Sequence, residues 1–178
     1  MAAITASVTT TSMRVKPSAS PRAVLEDINA DVNSYYALYQ ASGIYFAEGP
    51  MEADCTTLEP EYTRLASLAR MRDPKAYVAI GTRFCPTFIT FSELMVEFAE
   101  DLATYQSYKV PSWMPANSPD RFCQFINSVP PDQASHVLST AVSYGAGWVF
   151  ATDGVYPNPW AALPSYFDQE LTAVRQLQ

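Results

Sequence analysis

The chain has 178 residues, of which 48% are hydrophobic and 16% are charged, so it is long and apolar enough for one domain with a buried core. Its 11 basic and 18 acidic residues give a formal net charge of -7, which argues against nucleic acid as a partner because phosphate binding needs clustered Lys and Arg. One His and three dispersed Cys are too few for a tetrahedral zinc site, and we predict no metal and no other cofactor.

In chain order, short apolar runs bounded by turn residues alternate with stretches of helical spacing. The pattern predicts six strands, over Ala3–Thr10, Gly43–Phe46, Ala76–Ile80, Leu94–Phe98, Arg121–Ile126 and Gly147–Ala151. It predicts four helices, from Pro21 or Arg22 to Tyr36 and over about Glu61–Met71, Asp132–Tyr144 and Leu163–Gln176. The proline-rich segment Tyr105–Pro119 is longer than most connections, which predicts a functional surface loop.

Strands that alternate with helices predict a single α/β domain with a parallel sheet over residues 1–178. Six strands fit either an open doubly wound sheet or an incomplete (β/α)8 barrel, and periodicity does not separate the two. In both architectures the chemistry lies at the carboxyl ends of the strands. The residues that directly follow each strand are therefore the candidates for a functional site.

Carboxylates dominate the predicted strand ends. Glu48 follows the second strand, Asp153 follows the last, and three acids surround the end of the fourth: Glu97, Glu100 and Asp101. Two carboxylates that face each other across a cleft can act as acid and base on a glycosidic bond, with the pKa of one raised by burial or by its like-charged neighbour. The alternative is that these acids are solvated loop residues of an acidic protein.

Aromatic side chains make up 13% of the chain, and exposed rings can stack on sugars. Trp113 in the proline-rich loop and Trp160 in an Asn-Pro-Trp turn are candidates for such a platform. Trp148 lies inside a predicted strand and is expected in the core. His136 lies in a predicted helix away from any strand end, and we assign it no chemistry.

The sequence also bears on the compartment. The first twenty residues contain no apolar run long enough for a signal peptide, and no stretch of about 18 apolar residues predicts a membrane span. Three cysteines are an odd number, which favours reduced thiols. From these features alone the expectation is a cytoplasmic protein.

The most specific pattern lies in the last forty residues. In Gly145–Leu171, a Thr-Asp pair closes a strand and is followed by an Asn-Pro-aromatic turn and a Leu-Pro-Ser-Tyr entry into a helix. The matching residues are, in order, Thr152, Asp153, Asn158, Pro159, Trp160, Leu163, Pro164, Ser165 and Tyr166. This segment resembles the closing part of the spherulin-4 (spherulation-specific family 4) proteins, which are often secreted or bound at the cell surface. The similarity is strongest over residues 41–178.

The resemblance implies a TIM-like barrel, here incomplete, with about six of the eight βα units and without the family's first two strands. It also implies, for characterised members, endo-acting hydrolysis of galactosamine-containing polysaccharide by an Asp-Glu pair and by the glutamate of a Phe-Glu strand end. Residues 41–49 resemble the strand that carries the pair. Glu48 keeps its glutamate, whereas Ala47 replaces its aspartate.

Residues 93–105 resemble the Phe-Glu strand. Phe98 is kept, but Ala99 stands where the glutamate belongs and Glu100 comes one residue later. Because successive side chains on a strand point to opposite faces, Glu100 can replace that glutamate only through a bulge or a register shift. The resemblance therefore implies divergence at two of the catalytic positions.

Three hypotheses follow. The first is a catalytically impaired or inactive barrel protein that still binds polysaccharide or oligosaccharide through Asp153 and a set of candidate binding residues: Trp113, Tyr156, Asn158, Trp160 and Tyr166. The second is an active hydrolase that uses Glu48 with Glu100, Glu97 or Asp153. The third is a truncated product without function, or one whose missing strands are covered by a partner chain or by self-association, because an incomplete barrel leaves strand edges unpaired.

Overall fold

The computed structural model describes residues 21–47, 54–81 and 85–176. The predicted strand Ala3–Thr10 lies outside these ranges. The described helices are α1 (Pro21–Tyr39), α2 (Cys55–Arg72), α3 (Leu102–Tyr105), α4 (Ala134–Ser143) and α5 (Phe167–Gln176). The described strands are β1 (Gly43–Phe46), β2 (Tyr77–Gly81), β3 (Leu94–Asp101), β4 (Phe122–Asn127) and β5 (Trp148–Ala151). Short 3-10 turns cover Pro86–Thr90, Met114–Ala116 and Pro119–Arg121.

The five strands form one all-parallel sheet in the order β1-β2-β3-β4-β5. A doubly wound sheet reverses its strand order at a switch point, and the described sheet has no such reversal. Because crossovers between parallel strands are right-handed, steps that all run in one direction place the connecting helices on one face. Of the two architectures that periodicity leaves open, the described strands fit the barrel-like α/β arrangement.

The apolar clusters on the two faces of the sheet agree with helices that pack on one face. Two apolar clusters join strand residues to helices: one includes Leu65 and Ala69 of α2, and the other includes Val137 and Leu138 of α4. The third cluster contains strand residues alone, namely Ala79, Leu94, Val96 and Cys123 with the partly buried Phe125 and Trp148. We call the surface of the sheet that packs against the helices the helix side. The opposite surface, which carries the third cluster, is the inner face.

The β3–β4 register shifts between Val96 and Phe98, so Glu97 is the extra residue of a bulge. Glu97 is completely buried. Its carboxylate accepts hydrogen bonds from Gln124 Nε2, at 2.6 Å, and from the Tyr108 hydroxyl. Gln124 Oε1 in turn accepts one from the Tyr105 hydroxyl at 2.5 Å. This network gives a buried carboxyl group hydrogen-bond partners on the helix side of the sheet.

A disulfide joins Cys55, the first residue of α2, to the buried Cys85 beyond β2. Cys123 is buried and free. The structure thus differs from the expectation of three reduced thiols, because the fold brings together two cysteines that are 30 residues apart.

We expect the Cys55→Ser/Cys85→Ser double variant to lose about 3 to 4 kcal/mol of unfolding free energy, because the bond closes a loop of 30 residues in the unfolded chain. Denaturant titration measures the change as a lower midpoint. A reducing agent should lower the wild-type midpoint to that of the variant and leave the variant unchanged. Equal midpoints under oxidising conditions would contradict the prediction.

Candidate functional site

The carboxyl ends of the parallel strands meet at one edge of the sheet, where β1 to β5 end at Phe46, Gly81, Asp101, Asn127 and Ala151. We call this the carboxyl edge. Most of the carboxylates that were predicted as site candidates lie here or just beyond. Glu48 lies outside the described residues, two positions after the end of β1.

Glu100, Asn127 and Tyr156 form one polar group at the carboxyl edge. The Tyr156 hydroxyl donates to Glu100 Oε2 at 3.2 Å, and the Tyr156 side chain is 59% exposed. Partial burial raises the pKa of Tyr156, the Glu100 carboxylate raises it further, and the neighbouring Asn127 side chain acts in the opposite direction. The loop after β5 is thus joined to the ends of β3 and β4.

Asp153 is used as a hydrogen-bond acceptor within the loop after β5. Its Oδ2 accepts from Ser165 Oγ at 2.5 Å, and its Oδ1 accepts from Ser165 N at 3.2 Å. These bonds favour the charged form and lower the pKa of Asp153. Asp153 therefore stays ionised and connects the end of β5 to the start of α5.

Asp101 is used in a similar way at the start of α3. As the N-cap residue it accepts from Thr104 N at 2.8 Å, which lowers its pKa. Glu97 points into the helix-side network rather than to the carboxyl edge. Three of the acids weighed from the sequence are thus bound to structural donors.

The register of β3 decides which side chain faces the inner face. The Phe98 ring packs on the helix side, 4.8 Å from Tyr105 and 5.3 Å from Tyr108 between ring centroids. The next residue, Ala99, pairs with Phe125 of the inner face and is exposed. No register shift separates Ala99 from Glu100 in the β3–β4 pairing, so alternation keeps the two on opposite faces.

Aromatic rings occupy the inner face beside these residues. Trp160 lies 5.7 Å from Phe125 and 6.2 Å from Phe150, and Tyr45 lies 6.5 Å from Phe125, between ring centroids. Each of these four rings is at least partly exposed. We call Tyr45, Phe125, Phe150 and Trp160 the inner-face rings.

The other aromatic candidates are placed elsewhere. Trp113 packs against Phe122 in the helix-side core, with ring centroids 5.6 Å apart. Tyr166 is buried, and its hydroxyl donates to the Val129 carbonyl at 3.0 Å. Asn158 is exposed in the loop after β5. The structure therefore brings Trp160, Tyr156 and Glu100 towards one edge and separates Trp113 and Tyr166 from them.

Glu170 is a functional candidate that the strand-end pattern does not predict. This residue of α5 is 4% exposed, and its Oε1 accepts from Ala151 N at 2.9 Å. Because Thr152 N bonds to Ile126 O in β4, Ala151 N faces the outer edge of β5, where Glu170 supplies the acceptor that a further strand would provide. Burial raises the pKa of Glu170 to about 7, against the effect of the Ala151 N–H. A glutamate four residues after Tyr166, on the packed face of a short helix, is the sequence signal for this role.

Within the ranges that the structure describes, no group of His, Cys, Asp and Glu side chains is arranged to hold a metal ion. In the same ranges no helix is long and apolar enough to cross a membrane.

The comparison with family models adds the decisive observation. The model of spherulation-specific family 4 (Spherulin4) matches residues 13–174. The chain belongs to this family. This confirms the resemblance seen in the closing segment. The comparison with curated proteins found no match, and neither did the comparison with solved structures.

The raised pKa of Glu170 predicts a pH-dependent stability. The pKa of Glu170 is about 7 in the folded chain and near 4.5 in the unfolded chain, so folding favours the neutral carboxyl group. The free energy of unfolding therefore falls as pH rises from about 4.5 to about 7. By pH 8 the loss should approach about 3 kcal/mol. Glu170→Gln keeps an acceptor for Ala151 N and should be more stable than wild type by a margin that grows between pH 5 and 8.

Urea titrations at several pH values measure that margin. Asp168→Asn, an exposed change on the same helix, is the control and should show no such growth. Parallel pH profiles for wild type and Glu170→Gln would contradict the assigned role.

Proposed function

We propose that this spherulin-4 family member binds polysaccharide at the carboxyl edge and that its hydrolytic activity is impaired. The observation that carries the proposal is the position of Ala99, which stands on the inner face where the resemblance places a catalytic glutamate. Ala47, exposed directly after β1, stands at the other altered position. Family membership supports the barrel-like α/β fold of the proposal, and the two alanines support the loss of hydrolytic activity.

Impairment is supported by what glycoside hydrolysis requires. Most glycosidases use two carboxyl groups across the scissile bond, and one must hold a proton near neutral pH. Among the described strand-end acids, Asp101 and Asp153 have lowered pKa values and are bound to local donors. Such groups accept hydrogen bonds but are poor proton donors.

Binding is supported by the exposed rings and their polar neighbours. Trp160 and Tyr156 offer ring surface, and Glu100 and Asn127 offer polar atoms close to Tyr156. Because the acids at this edge and the net charge of -7 disfavour anionic polymers, the proposed ligand is a neutral or amino-sugar polysaccharide, such as one that contains galactosamine.

We further propose that the chain works in an oxidising compartment. The Cys55–Cys85 disulfide supports this, because such bonds persist where glutathione and thioredoxin do not keep thiols reduced.

We expect Trp160→Ala to weaken binding to an amino-sugar polymer about tenfold, because the loss of one stacked ring is worth about 1.4 kcal/mol. Affinity electrophoresis in gels that contain the polymer measures the change. Leu163→Ala removes an exposed apolar side chain three residues away and is the matched control. Equal retardation of the two variants would contradict a role for the ring.

Restoring the two altered acids should restore chemistry. We expect Ala47→Asp/Ala99→Glu to release reducing ends from the polymer at least about 100-fold faster than wild type, since both positions are exposed and a positioned proton donor is worth that much or more. The Ala47→Asn/Ala99→Gln variant introduces side chains of the same shape that lack the carboxyl groups, and it should stay inactive.

The proposed impairment fails if wild type already hydrolyses the polymer and the double variant is no faster. In that case a loss of turnover in Glu48→Gln would establish the active-hydrolase alternative.

A further inference from the structure

A second concavity lies at the opposite end of the sheet, where the strands begin. Tyr77 and Trp148 are the first residues of β2 and β5, and Asp120 and Arg121 immediately precede β4. The space between them has a volume of about 850 Å³, within the range of small-molecule sites. We call it the amino-edge pocket, and no role proposed so far uses it.

Two aromatic rings line the amino-edge pocket. Tyr77 is 41% exposed, and Trp148 is half-buried on the inner face. The Trp148 indole N–H donates to the Asp120 carbonyl at 2.9 Å, which holds the ring against rotation. Fixed rings with accessible faces can pack against the apolar C–H face of a sugar at little entropic cost.

Two of the charged side chains that line the pocket, Arg121 and Glu93, are already engaged by the protein. The Arg121 guanidinium donates to the carbonyl of Glu93 at 2.8 Å, to that of Ile89 at 2.7 Å, and to that of Ser92. The Glu93 carboxylate accepts from Arg70 Nη2 and from Val78 N, each at 2.7 Å. These bonds leave Arg121 poorly arranged for a bidentate grip on phosphate or carboxylate.

Two polar groups of the pocket remain available to a ligand. In the part of the chain that the structure describes, neither the Tyr77 hydroxyl nor the Asp120 carboxylate makes a hydrogen bond. The hydroxyl can donate and accept, whereas the carboxylate only accepts, so together they suit the hydroxyl groups of a sugar. Asp120 and Arg121 carry opposite charges, which favours an uncharged ligand.

We propose that the amino-edge pocket binds a neutral hexopyranose. The ring would pack against Trp148 and Tyr77 while its hydroxyl groups bond to Asp120 and to the Tyr77 hydroxyl. This site stands on its own contacts and does not depend on the carboxyl edge. If both sites bind, they lie at opposite ends of the strands, and one chain can bridge two polysaccharide segments.

The three tryptophans allow the two sites to be observed separately. Trp148 reports on the amino-edge pocket, Trp160 on the carboxyl edge, and Trp113 on the helix-side core. We would titrate isotope-labelled protein with the methyl glycosides of glucose, galactose and mannose and follow the three indole N–H signals. We expect the Trp148 signal to shift saturably with at least one of them while the Trp113 signal stays in place.

Failure of this proposal is distinguishable from failure of the proposed function. A Trp148 signal that does not move up to about 50 mM sugar, well above a millimolar Kd, would overturn the amino-edge site whatever Trp160 does. Movement of Trp148 without polymer binding at Trp160 would support the amino-edge site and count against the carboxyl edge.

Variants test the assigned contacts. Tyr77→Ala and Asp120→Asn should each weaken the Trp148 response about tenfold and leave any Trp160 response unchanged. Met71→Ala, an exposed change on α2, is the control and should behave as wild type. The proposed site would be overturned if the Trp148 signal of both variants responded to sugar with the same affinity as in the wild-type protein.

A charged sugar tests the assigned ligand class. The methyl glycoside of a uronic acid should bind at least tenfold more weakly than the neutral sugars. Equal or tighter binding of the acid would overturn the assignment to neutral hexopyranoses.

Discussion

Parallel pairing of five strands in chain order is the constraint on which the other features depend. Because each crossover advances in the same direction, the described helices pack on one side of the sheet, and the inner face carries strand side chains together with Trp160 of the loop after β5. Rings that a doubly wound fold would bury under helices remain partly exposed here, among them Tyr45, Trp148 and Phe150. The two proposed sugar sites lie at opposite ends of the strands, and each includes a tryptophan of the inner face, Trp148 at one end and Trp160 at the other.

The bulge at Glu97 determines which side chains of β3 face the inner face of the sheet. Glu97 is the extra residue of this bulge, and Gln124 and Tyr108 donate hydrogen bonds to its carboxyl group. As a result, the side chain of the next residue, Phe98, points into the helix-side core. Ala99 then faces the inner side, and Glu100 follows on the opposite face. A buried polar network on one side of the sheet thereby determines which residue is presented on the other.

The sequence predicted the sheet better than the site. Gly43–Phe46 is a strand with the predicted bounds, since a short apolar run between turn residues has few alternatives. Other elements differ at their ends: α2 begins six residues before Glu61, and β3 continues past Phe98 to Asp101. The Cys55–Cys85 disulfide and the Tyr156–Glu100 contact join residues 30 and 56 positions apart, and periodicity carries no information on such pairs.

The most specific sequence motif supplies hydrogen bonds that close the fold. Asp153 holds Ser165, Tyr166 reaches the Val129 carbonyl, and Glu170 completes the edge of β5 at Ala151. These bonds attach α5 to the last strand, which gives the motif a structural role of its own. Family membership therefore argues for the scaffold, and any activity must be argued from the residues at the two ends of the strands.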